Sequence, residues 1–309
     1  MIKTEKIHKS FGKHQAVRGI DLAVAKGEVF GFLGPNGAGK TTTLRMLTTL
    51  LEPDSGEIFV AGFDLQKEPH KVRGRIGYVS QAGGSDRAAT GREDLVLQGQ
   101  LCGMSYSEAV SRANEVIKLF VLEDCIDRFS RDYSGGQKRR LDIGLGIMHR
   151  PEVLFLDEPT VGLDPQSRSN LWQQIKELKK EGTTVFLTSH YLDEVDALSD
   201  RLAIMDKGEI VARGTPRELK KEIAGDVVTI GFRCDEKINP LIFDQFRERE
   251  FVREVSHENH DVKLYVDDGE AALPQILRML DAQNISLQTI ALSLPSLNDV
   301  FLRKTGRSL

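Results

Sequence analysis

Hydrophobic positions separated by polar ones dominate the first sixty residues. Ile20, Leu22 and Val24 recur at every second position, which is typical of a strand with one buried face. With three further apolar runs, they predict short strands at residues 2–7, 16–24, 29–33 and 58–61. We expect this part of the chain to form mainly an antiparallel layer of strands.

The middle of the chain carries a different pattern. Residues 153–156 and 183–188 are unbroken apolar or β-branched runs, which is typical of parallel strands buried on both faces. Leu171, Ile175 and Leu178 recur between them at helical spacing, so this stretch predicts a βαβ unit.

Helical periodicity also appears before this unit, and a hairpin pattern follows it. Residues 105–127 carry an apolar stripe among charged positions and predict a helical segment. Residues 202–205 and 209–212 flank the turn formed by Asp206, Lys207 and Gly208, and predict a closing hairpin.

Residues 226–309 predict a second, smaller α+β domain. Its pattern gives strands at residues 227–233, 252–256, 262–266 and 286–293, and helices at 241–248 and 271–282. This βαββαβ order is typical of a ferredoxin-like arrangement. Ser296 can cap a last short helix that contains residues 297–301. We therefore expect domains at residues 1–225 and 226–309.

Composition excludes several classes of protein. The net charge of -4 lacks the excess of positive charge that is typical of nucleic-acid-binding proteins, so no nucleic-acid partner is expected. No apolar run approaches the roughly 18 residues that cross a bilayer, and the start lacks the apolar core of a signal peptide. We expect a cytoplasmic protein.

Cys102, Cys125 and Cys234 are widely separated, which favours reduced thiols that serve as packing residues. His257 and His260 lack further ligands and predict no metal site.

A phosphate-binding loop follows the third predicted strand. Residues 34–41 fit the pattern GxxxxGK[ST], whose backbone N–H groups surround nucleotide phosphates at a helix N-terminus. In this pattern Lys40 reaches the β- and γ-phosphates, and the Thr41 hydroxyl can bind Mg²⁺. The loop predicts a set of nucleotide-binding residues: Gly34, Pro35, Asn36, Gly37, Ala38, Gly39, Lys40, Thr41 and Thr42.

Two adjacent carboxylates end the strand at residues 153–156. Asp157 and Glu158 lie where α/β sheets bind their ligands, at the carboxyl end of the strand. Phosphoryl transfer requires positioning and charge neutralisation. We therefore expect Asp157 to hold Mg²⁺ and Glu158 to polarise the attacking water.

A third motif gives the family resemblance. Tyr133, Ser134, Gly135, Gly136 and Gln137 resemble the LSGGQ signature of ATP-binding-cassette ATPases, with Tyr in place of Leu. Ser134 and Gly136 open a predicted helix whose N-terminus can hold a phosphate. Residues 138–140 are most simply a solvated face of that helix.

The resemblance covers residues 1 to about 220 and implies a fold. It is that of a P-loop NTPase of the ATP-binding-cassette type, with a RecA-like core, an antiparallel β subdomain and a helical insert at about residues 82–150. ATP and Mg²⁺ are the implied cofactors. Two copies would bury ATP head to tail, because in this family the signature completes the site of the opposite subunit.

Further site residues follow from the resemblance alone. Gln81 would contact Mg²⁺ and relay hydrolysis to a partner, and His190 would bind the γ-phosphate and orient Glu158. Asp164 matches the D-loop. Phe11 matches the aromatic residue that stacks on the adenine, although an ordinary buried Phe remains the alternative.

Two local matches narrow the resemblance to drug exporters. Residues 86–95 contain TGREDL, and residues 295–302 read PSLNDVFL, close to the PSLEDVFL tail of such ATPases. Together they are similar to the daunorubicin/doxorubicin-resistance type. This implies an ATPase on the cytoplasmic face of the membrane that drives export of a drug, lipid or glycan through a separate permease. The second domain could stabilise the dimer, tune hydrolysis, dock the permease or act only as a scaffold.

Two other classes of function are alternatives to transport. An ATPase of this family that acts on ribosomes or DNA would carry two cassettes or a long coiled coil, and neither feature is in the sequence. A P-loop kinase or GTPase would have no use for residues 134–137. Transport is therefore the main hypothesis.

Overall fold

The chain divides into two compact units, Met1–Gly214 and Thr215–Leu309. The computed structural model describes residues 1–222, 225–232, 245–258, 261–283, 285 and 287–306. The division lies about ten residues before the expected one near Gly225. The reason is that the helix Pro216–Lys221 contacts the last helix of the chain within the second unit.

The first unit contains ten strands and seven helices, all within residues 1–214. The strands are β1 (Ile2–Phe11), β2 (His14–Val24), β3 (Val29–Leu33), β4 (Ser55–Val60), β5 (Phe63–Asp64), β6 (Ile76–Val79), β7 (Val153–Asp157), β8 (Thr184–Ser189), β9 (Arg201–Asp206) and β10 (Glu209–Gly214). The helices are α1 (Lys40–Leu47), α2 (Pro69–Arg73), α3 (Gly91–Leu101), α4 (Tyr106–Leu119), α5 (Gly135–Gly146), α6 (Pro165–Lys180) and α7 (Leu192–Leu198).

The central sheet has the strand order β10-β9-β3-β8-β7-β6. All neighbouring strands are parallel except the β9–β10 hairpin. Every residue of β3, β7 and β8 is buried, which for β7 and β8 confirms the prediction from their unbroken apolar runs. Phe186 lies at the centre of this core, with its ring centroid 5.5–5.6 Å from those of Phe30, Phe32 and Phe155. The carboxyl ends of β3, β6, β7 and β8 therefore meet at one edge.

The predicted antiparallel layer is a second sheet, with the order β2-β1-β4-β5. Its apolar side chains, including Ile2, Ile20 and Ile58, join one buried cluster with residues of β3 and α1. The layer thus rests on the central sheet and carries Phe11 at the end of β1.

The helical insert consists of α3, α4, a 3₁₀ turn at Ser130–Asp132, and α5. Thr90, Ser105 and Ser134 each begin a helix with a capping box. The helix predicted at residues 105–127 ends earlier, at Leu119. Val121 has φ +52°, a left-handed conformation that no helix continues.

The second unit forms an antiparallel sheet with helices α8 (Pro216–Lys221), α9 (Gly269–Ala282) and α10 (Leu297–Thr305). Its strands are β11 (Asp226–Phe232), β12 (Val252–Glu258), β13 (Asp261–Val266) and β14 (Leu287–Ser293), in the order β12-β13-β11-β14. This is the strand order of a ferredoxin-like fold. The first half of the predicted helix at 241–248 lies outside the described residues, as do Cys234, His260 and the side chain of His257, while residues 245–247 are helical.

The PSLNDVFL tail has a structural role in this unit. Ser296 caps α10 as predicted, in a capping box with Asp299. The buried Asp299 carboxylate also accepts hydrogen bonds from Tyr265 Oη at 2.8 Å and Lys263 Nζ at 3.1 Å. Asp299 therefore attaches α10 to β13.

Two further expectations from the sequence have outcomes here. Cys125 is buried, but Cys102 is exposed at the end of α3, so its prediction as a packing residue was wrong. Among the described residues, no helix has the length and apolar character needed to span a membrane.

Candidate functional site

A cavity of about 530 Å³ lies at the carboxyl edge of the central sheet. Eleven of the predicted site residues line it: Phe11, Pro35, Asn36, Gly37, Gly39, Lys40, Thr41, Thr42, Gln81, Glu158 and His190. Predicted residues from five separate segments of the first unit are thus brought together in one cavity.

The loop between β3 and α1 has glycines where no side chain fits. A Cβ on Gly39, whose φ is +109°, would lie 2.4 Å from the Ala16 carbonyl oxygen. A Cβ on Gly34 would lie 2.3 Å from the Met205 carbonyl oxygen. These contacts press the loop against β2 and β9 and fix its backbone. Ala38 is buried beneath the loop and does not line the cavity.

Lys40 begins α1 and is almost completely buried. Its ammonium donates to the carbonyl oxygens of Gly34 at 2.7 Å and Pro35 at 3.2 Å, and lies 3.3 Å from Glu158 Oε1. Burial lowers the pKa of Lys40, while the carboxylate of Glu158 opposes this shift. The ammonium is therefore held at one point of the cavity wall, where anionic oxygens can replace part of its lost hydration.

Asp157 lies behind the cavity at the end of β7. Its Oδ1 accepts hydrogen bonds from Thr188 Oγ1 at 2.7 Å and from Thr41 Oγ1 at 3.3 Å. A carboxylate and a hydroxyl are the hard oxygen ligands that Mg²⁺ prefers, and Mg²⁺ typically takes one or two carboxylates beside substrate phosphates. The pair of Thr41 and Asp157 fits such an ion.

Glu158 follows Asp157 in a strained backbone conformation. Its φ is +45°, a region that residues with a Cβ rarely occupy and that concentrates at functional sites. Its N–H donates to Thr188 Oγ1 at 3.0 Å, and its Oε2 lies 3.1 Å from His190 Nδ1. The carboxylate therefore lies between the cation of Lys40 and the imidazole of His190, where it can accept a proton from water.

Phe11 and Gln81 are the exposed members of the cavity wall. The side chain of Phe11 is 52% exposed, so the alternative of an ordinary buried Phe was wrong. Gln81 follows β6 and is also exposed. Both side chains can reach a ligand in the cavity.

The signature residues lie elsewhere in the first unit. Ser134 caps α5 in a capping box with Gln137, and Asp164 caps α6 by accepting from Ser167 N at 2.9 Å. Within residues 1–214, none of residues 134–137 and neither Asp164 nor its neighbours 162–163 line the cavity. The predicted signature and D-loop residues therefore lie apart from the cavity of their own chain.

Two buried residues of the site were missed by sequence reasoning. Thr188 joins Asp157 and Glu158, and its position at the end of β8, two residues before His190, was the available signal. Arg139 was expected on a solvated helix face, but it is buried and donates to carbonyl oxygens on both sides of Glu158. No pattern of neighbouring residues distinguished it from Lys138 and Arg140.

Comparisons with known proteins agree with this geometry. The family model described as ABC transporter matches residues 17–161, and that of the ATP-binding protein DrrA1-3-like C-terminal domain matches residues 214–305. The daunorubicin resistance ATP-binding protein DrrA2 of Streptomyces coeruleorubidus is 40% identical over 99% of this chain and 95% of its own length. The linearmycin resistance ATP-binding protein LnrL of Bacillus subtilis is 39% identical over 100% and 99%.

A solved structure is similar to the first part of the chain. It is the dimeric post-hydrolysis state of the ATP-binding cassette MJ0796 bound to ADP and Pi, with a TM-score of 0.64 and 26% identity. The match covers 70% of this chain and 98% of that one.

Proposed function

The chain belongs to the ATP-binding subunits of ABC transporters, and we propose that its ATP hydrolysis powers the export of a drug-like molecule through a separate membrane permease. The observation that carries the proposal is the cavity in which the phosphate loop, Glu158 and His190 meet. The full-length similarity to two drug-resistance ATP-binding proteins supports the export of a drug. It does not favour an ATPase that acts on ribosomes or nucleic acid.

Four side chains of the cavity have roles in nucleotide binding or phosphoryl transfer. The loop backbone and Lys40 hold the phosphates, and Phe11 offers a π-face to the base. Glu158 accepts the proton of the attacking water, and His190 orients the Glu158 carboxylate from 3.1 Å. Burial of Lys40 and Glu158 strengthens their electrostatic effect on the transferred group.

Mg²⁺ would be held by Thr41, Asp157 and Gln81. The ion supplies charge neutralisation on the phosphates when it is bound. Thr188 keeps Asp157 in place for this contact, because its hydroxyl donates to the carboxylate at 2.7 Å.

The two half-sites are completed by a second copy of the chain. Ser134 and the other signature residues lie outside the cavity of their own chain, and the N-terminus of α5 is suited to anionic oxygens. Two head-to-tail copies satisfy both half-sites by two-fold symmetry. The dimeric cassette MJ0796 is a precedent for such pairing.

The permease would bind a groove of about 820 Å³ on the first unit. Part of the groove is apolar, since it is lined by Leu50, Cys102 and Leu145. Leu50 is 60% exposed. Ser80 also lines the groove, one residue before Gln81 in the nucleotide cavity. We assign the groove to the permease, because its occupant would contact the segment that carries Gln81. This contact would place the chain at the cytoplasmic face of the membrane.

The proposal is tested by capturing the partner in the ATP-bound state. The tagged Glu158→Gln chain is incubated with ATP and Mg²⁺ and recovered from detergent-solubilised cells, with the tagged Lys40→Ala chain as control. We expect Glu158→Gln to retain a multi-span membrane protein that Lys40→Ala loses, and expect that protein to stimulate phosphate release by the wild-type chain in vesicles. Recovery of ribosomes or DNA alone would refute the transport function.

A further inference from the structure

Helix α5 connects the signature residues to both ends of the segment that carries Gln81. Arg139 lies on its second turn and Asp142 one turn later, so both side chains extend from one face of the helix. Arg139 Nη1 donates to the Ser80 carbonyl oxygen at 2.7 Å, just before Gln81. Asp142 Oδ1 accepts from the backbone N–H groups of Gly84 and Ser85, both at 2.9 Å, just after it.

The remaining donors of Arg139 reach the strand end that carries Glu158. Nη2 donates to the Asp157 carbonyl oxygen at 2.9 Å, and Nε donates to the Pro159 carbonyl oxygen at 2.8 Å. These are the residues on either side of Glu158. One guanidinium thus fixes the backbone around Glu158 and the backbone before Gln81 at the same time.

The contacts are specific to these residue types. Arg139 is only 7% exposed, and its fork makes three bonds in three directions that the point charge of a lysine cannot reproduce. Asp142 is 5% exposed, and its carboxylate approaches the backbone of residues 83–85 closely because Gly83 has no Cβ. A Cβ on Gly83, whose φ is +81°, would lie 2.3 Å from Asp142 Oδ2.

We propose that Arg139 and Asp142 are positioning residues. They set the rate of hydrolysis because they hold the backbone around Gln81 and Glu158 in a fixed position relative to α5. The inference rests on the proposed ATPase mechanism. Helix α5 is one continuous helix from Gly135 to Gly146 with Ser134 as its N-cap, so a displacement of its N-terminus on phosphate binding would carry Arg139 and Asp142 with it. Engagement of the signature is thereby transmitted to Gln81 and to Glu158 through five hydrogen bonds.

A kinetic experiment distinguishes positioning from binding. Arg139→Gln and Asp142→Ala should each lower kcat by about 10- to 100-fold, because misplacement of catalytic groups costs rate. The KM for ATP should change by less than about twofold, since the phosphate loop is untouched. Arg139→Lys keeps the positive charge but loses the forked guanidinium. Its kcat should therefore fall by about as much as that of Arg139→Gln. Asp142→Asn keeps an oxygen acceptor and should recover most of the activity lost in Asp142→Ala.

Arg140→Gln is the matched control. Arg140 is the next residue of the same helix, and its guanidinium donates to the carbonyl oxygens of Phe120 and Val121 within the helical insert. The substitution makes the same change in charge as Arg139→Gln, and kcat should stay within about twofold. Equal losses in the two variants would overturn the proposal, as would an unchanged kcat in Arg139→Gln and Asp142→Ala.

Hydrogen exchange of the purified full chain gives a second readout that needs no turnover. In Asp142→Ala the amides of Gly84 and Ser85 should exchange at least about tenfold faster, while those of Val153–Asp157 keep their protection. Unchanged exchange at Gly84 and Ser85 would overturn the proposal that Asp142 holds this segment. A wild-type chain that does not hydrolyse ATP would instead refute the proposed function. The exchange result would still show whether Asp142 holds the backbone of Gly84 and Ser85.

Discussion

Removal of one buried hydroxyl tests how the paired carboxylates are held. Thr188→Val conserves the shape of the side chain and deletes Oγ1, which donates to Asp157 and accepts from the Glu158 N–H. Thr188 is fully buried, so water does not replace the lost donor without rearrangement.

The cost follows from what each partner retains. The Glu158 N–H keeps a second acceptor, the Thr188 carbonyl oxygen at 3.2 Å, and is not orphaned. The Asp157 carboxylate loses a 2.7 Å donor, and a bond to a charged group is worth about 1.5–3 kcal/mol. For a unit of this size, about 2 kcal/mol lowers Tm by about 4–8 °C. We expect kcat to fall by about 10- to 100-fold, since both carboxylates lose their shared support.

Thr184→Val is the matched control, at the opposite end of the same strand. Thr184 is also fully buried, and its Oγ1 accepts from the Gly27 N–H at 2.9 Å, far along β8 from the cavity. It should lower stability by about 1 kcal/mol and leave kcat within about twofold. Thermal unfolding and steady-state phosphate release are measured on both variants. A Thr188→Val chain that loses no more kcat than Thr184→Val would refute the positioning role of Thr188.

Three further predictions concern single side chains. Glu158→Gln should bind ATP with near wild-type affinity but release phosphate at least about 100-fold more slowly, because the general base is lost; an unchanged rate would exclude this role. Phe11→Ala should weaken binding of a fluorescent ATP analogue by about fivefold, the value of one aromatic stack, and an unchanged Kd would place the base elsewhere. Burial raises the pKa of Glu194 above 4.5, so the folded chain binds more protons than the unfolded chain above that pH and loses stability as pH rises. Glu194→Gln should therefore unfold at a higher Tm than wild type at pH 8, with an advantage that shrinks towards pH 4.5; an advantage independent of pH would contradict this reasoning.

Strong local patterns predicted most of the fold. The buried runs of β7 and β8 and the alternation in β2 gave strands within two residues of their observed bounds. The second unit followed from the same periodicities, because α9 keeps apolar residues at helical spacing. Helix α3 was missed, since Leu97 and Leu101 are exposed and its apolar positions do not form one stripe.

Long-range contacts set the part of the site that the sequence did not predict. The phosphate loop and Glu158 carry local motifs, so their meeting in one cavity could be expected. Thr188 and Arg139 act through partners 18 to 59 residues away in sequence. Apart from the position of Thr188 two residues before His190, nothing in their neighbourhood along the chain marks them, because their role depends on where other strands end.

The composite ATP site is tested most directly by mixing two inactive chains. Lys40→Ala removes the phosphate-binding ammonium, and Ser134→Ala removes the signature hydroxyl, so each variant alone has two defective sites per dimer. In an equal mixture, half of the dimers carry one intact site, and phosphate release should return to about a quarter of the wild-type rate. No recovery in a mixture that forms heterodimers would contradict the completion of each site by a second copy.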